Sequence, residues 1–520
     1  MSHATVTYLV LAGAVLAFAW DRLPVALVAL GVALSLWATG VLGYEQALSG
    51  FGDPTVVFIA SLFVVSEGLD ATGVTAWTGQ ALIARAGSDR TRLLVLLMGL
   101  VAVVTALINV NGSVAALLPV VVAIAVRLRR SPSQLLLPLA FGAHAGSLLA
   151  LTGTPVNVIV SEAAHDAGVG GFGFFSFALV GLPLVAATIA VVVLFGERLL
   201  PARRPRAMPP DFDAHARTLV EQYDLDRPHD ALLTRRAGVA EVVIPPRSGL
   251  IGERAFAGMV TDSGDLLVLA VQRDGRALER ENALRAGDVL LLQGSWRALD
   301  ARLGGPEVLV VDAPDAVRRQ AVPLGPGAGR ALAVLFAMVV LLATGAVPAA
   351  VAGLLAACAL VVLGVVGVEQ AYRSVSWTTV ILVAGMIPLS SAMIETGAAE
   401  QLAHRIVELV GGAGPRLLLL ALVALTAVLG QLISNTATAL IVIPIAVSAA
   451  GEIGVSSRPV LMAVAVAAAA SFLTPVATPA NLMVMGPGGY RFGDYWRLGL
   501  PLLLLFAAAA VLLVPLIWPF

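Results

Sequence analysis

The stretch ISNTATALIVIP, residues 433–444, places the polar side chains of Ser434, Asn435, Thr436 and Thr438 inside a long apolar run. That run extends from Leu417 to Ala450. As one helix it would measure about 51 Å, far more than a hydrocarbon core of about 30 Å, whereas half of it, about 25 Å, falls short of a full crossing. We therefore predict a hairpin over 417–450 that enters and leaves a membrane on one side, with Ser434-Asn435-Thr436 at its tip.

The composition supports a membrane location. Of 520 residues, 59% are hydrophobic and 12% are charged, and many apolar runs are long enough to cross a bilayer. A membrane β-barrel would instead show alternating segments of about ten residues, so the spans are predicted to be helical. Cys358 is the only cysteine, which excludes disulfides within the chain.

The chain contains an internal duplication. A shift of 324 positions aligns Pro24 with Pro348, and Thr154-Pro155-Val156-Asn157 with Thr478-Pro479-Ala480-Asn481. The segment between the two copies carries frequent charges and only short apolar stretches. We predict a first membrane repeat at 1–200 with hairpin 93–126 and broken helix 135–160, a cytoplasmic insert at 201–329, and a second membrane repeat at 330–520 with hairpin 417–450 and broken helix 459–485.

Each repeat is expected to hold five spans, those of the first lying near 4–20, 24–43, 54–70, 135–160 and 176–196. Because five is odd, the second copy must be inverted relative to the first. Arginine is concentrated in the segments on one side of this arrangement, as it is on the cytoplasmic side of membrane proteins. The predicted fold is thus an all-α polytopic protein of two inverted repeats in the inner (cytoplasmic) membrane, with a cytoplasmic α+β insert and both termini outside.

Two kinds of interruption occur within the predicted membrane segments. The hairpin tips, Asn109–Ser113 and Ser434–Thr436, expose helix ends, and Pro155 and Pro479 interrupt their spans because proline lacks a backbone N–H. Secondary transporters with inverted repeats bind solutes near the bilayer midplane at such interruptions. Uncharged oxygen atoms suit Na⁺, and helix N-termini suit a carboxylate or another oxyanion.

At these residues the chain resembles the divalent anion:sodium symporter family, whose members carry dicarboxylates, citrate or sulfate. The resemblance rests on Ser434-Asn435-Thr436, Ala477-Thr478-Pro479-Ala480-Asn481 and Gly153-Thr154-Pro155-Val156-Asn157. In the second repeat it implies a Na⁺ site formed by Ser434, Asn435, Ala477 and Pro479, with Asn435, Thr436 and Thr478 near the substrate. In the first repeat it implies a Na⁺ site at Thr105, Asn109 and Gly153, and substrate contacts from Asn109, Asn111, Ser113 and Thr154.

The first tip departs from the family pattern, because Val110 occupies the position at which the family usually has asparagine. A side-chain amide is therefore missing there, which leaves open coupling to one Na⁺ or to a proton. His144 is the imidazole nearest the predicted site, but its counterpart in the second repeat is Ala468, so we expect it to have a structural role.

The insert resembles, over 237–311, the C-terminal domain of the regulator of K⁺ conductance, the TrkA-C domain. The matching residues are Glu241, Pro245, Ser248, Gly252, Arg273, Gly287-Asp288, Leu290 and Gly294. This resemblance implies pairing into dimers and an unidentified small regulatory ligand. The alternative is a dimerisation or folding module without a ligand.

The sequence therefore predicts a symporter of a small divalent anion, sulfate or a di- or tricarboxylate, coupled to Na⁺. Family resemblance implies a homodimer with elevator-type alternating access. The alternatives are a H⁺-coupled anion permease, a cation/proton antiporter, and a ligand-gated ion channel, although no Thr-Val-Gly-Tyr-Gly filter is present in the sequence. Neither catalysis nor nucleic-acid binding is expected; the expected partners are a small anionic solute and the lipid bilayer.

Overall fold

The computed structural model describes residues 2–20, 22–74, 77, 89–127, 130–203, 237–261, 264–273, 276–278, 282–303, 305, 307–311, 325, 327–410, 414–475 and 477–520. Contacts between residues divide the chain into two compact units. The first unit comprises Met1–Leu69, Ala81–Ala207 and Gly329–Phe520. The second comprises Asp70–Gln80 and Met208–Ala328.

The helices of the first half follow the predicted spans closely. They are α1 (His3–Trp20), α2 (Val25–Ala38), α3 (Tyr44–Leu48), α4 (Pro54–Ala71), α5 (Arg90–Leu107), α6 (Val110–Arg127), α7 (Ser133–Gly146), α8 (Pro155–Asp166) and α9 (Ala178–Leu199). The short helix α10 (Trp296–Leu303) belongs to the second unit.

The second half repeats this order. Its helices are α11 (Ala328–Thr344), α12 (Ala349–Val362), α13 (Val368–Ser374), α14 (Trp377–Glu395), α15 (Ala398–Val410), α16 (Pro415–Leu432), α17 (Asn435–Glu452), α18 (Ser457–Ala469), α19 (Pro479–Gly488), α20 (Tyr495–Ala508) and α21 (Val514–Ile517). α2 and α12 each begin one residue after a proline, Pro24 and Pro348. Because proline has no backbone N–H to donate to a preceding turn, neither helix extends further toward the N-terminus.

Several helices are apolar and long enough to cross a bilayer. Within the described residues seven candidate spans meet this criterion: Tyr44–Ala71, Arg90–Leu107, Ala178–Leu199, Trp377–Glu395, Pro415–Leu432, Asn435–Glu452 and Phe492–Ile517. Shorter apolar helices include His3–Phe18 and Val25–Ala38. The protein is a multi-pass, mostly helical membrane protein.

Each segment predicted to form a hairpin contains two helices. α5 and α6 both pack against α7, and α16 and α17 both pack against α18. α7 has 14 residues and α18 has 13, about 20 Å each, so two arms placed end to end could not both lie along it. The chain therefore turns back on itself at Ile108-Asn109 and at Ile433-Ser434. The depth of these turns in a membrane remains a prediction.

In both helices predicted to be broken, the interruption begins well before the proline. α7 ends at Gly146 and α8 begins at Pro155, while α18 ends at Ala469 and α19 begins at Pro479. The prolines are the first helical residues after each break, a position where a missing N–H leaves no hydrogen bond unmade. The segments outside the α-helices, the first of which contains a 3₁₀ turn at Leu151–Gly153, accordingly lie before the prolines rather than around them.

Each broken helix packs across the duplication. α7 of the first repeat contacts α19 of the second, and α18 of the second contacts α8 of the first. Phe472, in the second break, is fully buried and lies edge-on to Phe141 and Phe506, with ring centroids 5.0 Å apart in both cases. The two breaks are thus held within one continuous apolar core.

The second unit contains antiparallel strands. β1 (Ala237–Val243), β3 (Leu266–Arg273), β4 (Arg276–Ala277), β6 (Val289–Ser295) and β7 (Leu309–Val310) form a sheet in the order β4-β3-β6-β1-β7, while β2 (Arg254–Ala255) pairs with β5 (Asn282–Ala283). α10 packs on β1 and β6, and its Trp296 and Leu299 are buried.

One ion pair in this unit joins two residues on which the resemblance of the insert rests. Arg273 donates from Nε and Nη2 to the two oxygens of Asp288, each at 2.7 Å, and the backbone N–H of Arg285 donates to the same carboxylate. Burial alone would raise the pKa of Asp288, but these hydrogen bonds outweigh it, so the pKa lies below its usual value. The pair ties β3 to the turn before β6.

We predict that Gly146→Ala will destabilise the first unit. A Cβ at Gly146 would lie 2.3 Å from Cα of Ala102, so α7 would have to move away from α5. Overpacking of this kind costs about 1–3 kcal/mol. Gly99→Ala on α5 is the matched control, because nothing lies within 4 Å of the added methyl. Thermal unfolding of the purified protein should show a lower Tm for Gly146→Ala alone; equal Tm values would contradict the close approach.

Candidate solute-binding site

A cavity of about 240 Å³ lies where the two hairpin tips and the two breaks meet. Its wall is completed by residues of α2, α4 and α14. Among its lining residues, all of them in the described part of the chain, only His144 carries a titratable side chain. The lining comprises Val25, Ile59, Leu62, Phe63, Ile108, Asn109, Val110, Asn111, His144, Thr152, Gly153, Thr154, Pro155, Thr378, Thr379, Leu382, Ser434, Asn435, Thr436, Ala477, Thr478 and Pro479.

Four helix N-termini point toward this cavity. Val110, Pro155, Asn435 and Pro479 are the first residues of α6, α8, α17 and α19, and all four line it. The first turn of a helix has unpaired N–H groups and carries a partial positive charge. The backbone thus contributes partial positive charges to the lining, and none of the described lining residues is an arginine or a lysine.

The first residue of each tip acts as a helix cap. Asn109 Oδ1 accepts from the Gly112 N–H at 2.8 Å, and Ser434 Oγ accepts from the Ala437 N–H at 3.3 Å. Both residues precede a helix by one position, where asparagine and serine are preferred caps. Each side-chain oxygen thus satisfies one helix N–H, and the remaining N–H groups are left for a solute.

The structure brings most of the predicted site residues together. Those that line the cavity are Asn109, Asn111, Gly153, Thr154, Ser434, Asn435, Thr436, Ala477, Thr478 and Pro479. Thr105 and Ser113 do not line it. Their side-chain oxygens lie 2.5 Å apart and both residues are fully buried, so they hydrogen-bond to each other between α5 and α6. In this arrangement Ser113 does not contact a solute in the cavity.

The equivalent place in the second hairpin has different chemistry. Counting back from Pro444 as from Pro119, Thr105 corresponds to Gly430 and Ser113 to Thr438. Thr438 is fully buried, and its Oγ1 has no hydrogen-bond partner among the described residues. Asn435 Oδ1 and Ser471 Oγ lie near the same glycine and are hydrogen-bonded to each other at 2.5 Å. Three oxygen atoms thus lie near Gly430, two from the second hairpin and one from the second break, where the first hairpin has a closed hydroxyl pair.

The two asparagines that follow the prolines hold the breaks in shape. Asn157 Nδ2 donates to the carbonyls of Ser147 and Ala150 at 2.8 and 2.9 Å. Asn481 Nδ2 donates to the carbonyls of Ser471 and Thr474 at 2.8 and 3.0 Å. These acceptors are again 324 positions apart. The sequence pattern identified the asparagines as part of the motif but did not reveal that they pair with carbonyls left free by the breaks.

His144 links the first repeat to the second break. Its Nε2 lies 3.1 Å from Thr478 Oγ1 and 3.2 Å from Asn481 Oδ1, and its ring stands edge-on to Phe472. His144 therefore lies at the cavity. The sequence had indicated only a structural role, because the second repeat has Ala468 and not a histidine at the equivalent position. Duplication is a weak guide here, because a residue that breaks the repeat can still belong to the shared site.

Sequence reasoning also missed Thr378 and Thr379. They lie in the first turn of α14, and both line the cavity. Thr379 Oγ1 lies 2.9 Å from Ser376 Oγ. In the sequence, a serine followed by threonines at this point indicates only the start of a helix. No signal in the chain distinguished this helix end from the others.

Comparison with known proteins places this arrangement among transporters. A protein of Escherichia coli strain K12 described as "Uncharacterized transporter YfbS" is 31% identical over 98% of this chain and 98% of its own length. "Probable sodium/sulfate cotransporter 3" of Chlamydomonas reinhardtii is 26% identical over 54% of this chain and 32% of its own length. The solved structure of the Alcanivorax borkumensis YdaH transporter has the same overall fold, with a TM-score of 0.51 at 15% identity over 97% of this chain and 98% of that one.

A family model also matches nearly the whole chain. The model is CitMHS, described as a citrate transporter, and it matches residues 15–408 and, in a second overlapping segment, residues 339–520. The expected membership of a permease family is thereby confirmed, whereas the TrkA-C resemblance of the insert stays a prediction. The chain belongs to the CitMHS citrate transporter family.

Proposed function

We propose that this protein is a secondary active transporter that carries a small divalent anion, sulfate or a di- or tricarboxylate, together with Na⁺. The observation that carries this proposal is the convergence of four helix N-termini on a cavity whose lining contains no carboxylate and no arginine. An anion is the solute that such a cavity favours. The names of the relatives, a citrate transporter family and sodium/sulfate cotransporters, support the same class of solute.

The anion is proposed to bind between the two tips. Asn109, Asn111 and Thr154 would contact it from the first repeat, and Asn435, Thr436 and Thr478 from the second. The N–H groups at the starts of α6 and α17 add donors that the Asn109 and Ser434 caps do not use. Because no arginine contributes, a bound cation is needed to balance a divalent charge at membrane depth.

Na⁺ is proposed to supply that balance. In the second repeat the ligands would be Ser434 and Asn435, with the carbonyls of Ala477 and Pro479, all of which line the cavity. Oxygen atoms of this kind are the usual ligands of hard cations. In the first repeat the proposed ligands are Thr105, Asn109 and Gly153, but Thr105 is bonded to Ser113 and Asn109 caps α6, so this site is the weaker of the two.

The transport cycle is proposed to follow from the duplication. We infer that the repeats are inverted in the inner membrane, with both termini outside and the insert in the cytoplasm. The hairpins and broken helices would move together against the remaining helices of a homodimer in an elevator-type displacement. The insert would pair with its copy in the second subunit, with or without a small regulatory ligand.

Proton coupling is the second candidate, and the position of His144 in the cavity lining favours it. A cation/proton antiporter would be expected to place carboxylates in the cavity, but the described lining residues include no Asp or Glu. A dependence of uptake on a pH gradient in the absence of Na⁺ would favour the proton.

We predict that Asn435→Ala and Thr436→Ala will each reduce uptake at least tenfold without loss of folded protein. Both residues lie at the start of α17 in the cavity, and a lost hydrogen bond to a charged group costs about 1.5–3 kcal/mol. The measurement is uptake of radiolabelled sulfate or citrate into proteoliposomes along a Na⁺ gradient. Thr344→Ala, at an exposed helix end, is the matched control and should retain full uptake. Uptake that is insensitive to both Na⁺ and pH would rule out a coupled transporter.

Val110→Asn is predicted to strengthen the dependence on Na⁺. Val110 begins α6 at the position that Asn435 occupies in α17, and it lines the cavity, so an amide there adds an oxygen ligand. The Na⁺ concentration for half-maximal uptake should fall about 2- to 10-fold, the value of one uncharged hydrogen bond or ligand. Val110→Leu serves as the control for size. If both variants behave like the wild type, the correspondence between positions 110 and 435 has no functional meaning.

A further inference from the structure

The hydrogen bonds around Asn481 determine which nitrogen of His144 carries a hydrogen. Asn481 Nδ2 donates both its hydrogens, to the carbonyls of Ser471 and Thr474. This fixes the orientation of the amide, since the flipped form would place its oxygen against two other oxygens. Asn481 Oδ1 therefore faces His144 Nε2 at 3.2 Å. A carbonyl oxygen only accepts, so Nε2 must be the donor.

The same hydrogen lies close to Thr478. His144 Nε2 is 3.1 Å from Thr478 Oγ1, and the Asn481 N–H donates to that oxygen at 3.3 Å. The single Nε2 hydrogen is thus shared between Asn481 Oδ1 and Thr478 Oγ1, and together with the Asn481 N–H it directs two donors at the two lone pairs of the hydroxyl oxygen. What remains to Thr478 is its own hydroxyl hydrogen. Because Thr478 lines the cavity, that hydrogen is available to a solute there.

From this network we infer that His144 is a positioning residue that makes Thr478 a hydrogen-bond donor, and not an acceptor, toward the anion in the cavity. The inference rests on the proposed function and deepens it. It assigns to His144 a role in selecting a fully deprotonated oxyanion, which can only accept, over a solute that must itself donate. It also gives the neutral imidazole a function that requires no proton transfer.

The first repeat provides an internal comparison. The residue equivalent to His144 is Ala468, and the residue equivalent to Asn481 is Asn157. The Oδ1 of the buried Asn157 has no hydrogen-bond partner among the described residues. Thr154, the counterpart of Thr478, receives no capping hydrogen bond from its helix. The lone pairs of Thr154 therefore stay available, so Thr154 can accept or donate, whereas Thr478 is left to donate. The first break also shows that this geometry forms with alanine at the histidine position, so His144→Ala is expected to fold.

The test is a double-mutant cycle on sulfate uptake, with citrate as a second probe. His144→Ala should raise the apparent KM about 5- to 20-fold with a smaller change in maximal rate, because a hydrogen bond to the charged solute is weakened. His144→Gln, which retains an N–H donor, should recover part of the loss. In a Thr478→Val background, His144→Ala should add little, because the histidine acts through the threonine hydroxyl. His165→Ala, at an exposed position on α8, is the control histidine and should leave KM unchanged.

The outcomes separate this inference from the proposed function. If the wild type takes up neither sulfate nor citrate, the proposed function fails. If it does, an unchanged KM in His144→Ala overturns the inference, and so does an undiminished effect in the Thr478→Val background. A readout that needs no transport is solid-state NMR of ¹⁵N-histidine-labelled protein in lipid, with His144→Ala used to assign the signal. A neutral ring with its hydrogen on Nε2 is expected; a hydrogen on Nδ1 alone would overturn the assignment.

Discussion

The constraint on which this structure depends is that a helix interrupted inside a membrane leaves backbone N–H and C=O groups that lipid cannot satisfy. The protein meets that constraint in two ways. Side chains satisfy part of the freed backbone, as Asn157 and Asn481 do for the carbonyls of the breaks and Asn109 and Ser434 do for the helix starts. The rest faces a common cavity, where a hydrated solute can complete the hydrogen bonds. The solute site is thus a consequence of how the breaks are arranged.

The two repeats contribute equivalent backbone contacts to the cavity, and differences between the repeats make the cavity asymmetric. The paired carbonyl contacts of Asn157 and Asn481 are nearly identical in the two repeats. Three pairs of equivalent positions at the cavity or beside it differ between the repeats. The first repeat has Val110, Thr105 and His144 where the second has Asn435, Gly430 and Ala468. Each difference changes the hydrogen-bonding groups at the cavity or next to it, so the two repeats do not present the same groups there.

The sequence predicted the larger features because each one has a strong periodic or compositional cause. The membrane-spanning helices followed from the length of the apolar runs, whereas the hairpins, inferred from runs such as Leu417–Ala450, and the repeats, inferred from shared Thr-Pro-x-Asn motifs, stay predictions. The sequence located the breaks at Pro155 and Pro479 but not their extent, because a proline marks the start of the following helix and carries no information on where the preceding one ends. The family resemblance implied a substrate contact from Ser113 and a Na⁺ contact from Thr105, but a shared motif does not determine which face of a helix meets its partner arm, and the two side chains bond to each other instead. His144 was underestimated because its contacts, Thr478 and Asn481, lie more than 330 positions away in the chain.

The position of His144 affects how the cavity distinguishes one oxyanion from another. A cavity with helix N-termini and no charged lining binds anions through dipoles, and dipoles distinguish poorly between oxyanions of similar size. Hydrogen bonds with a fixed donor direction distinguish them better, since leaving one buried polar group unpaired costs about 1–3 kcal/mol. Thr478, whose hydroxyl oxygen faces two N–H donors, is inferred to be such a fixed donor, while Thr154 remains adaptable. The second repeat therefore provides direction toward the anion, and the less constrained first repeat is left to accommodate differences between solutes.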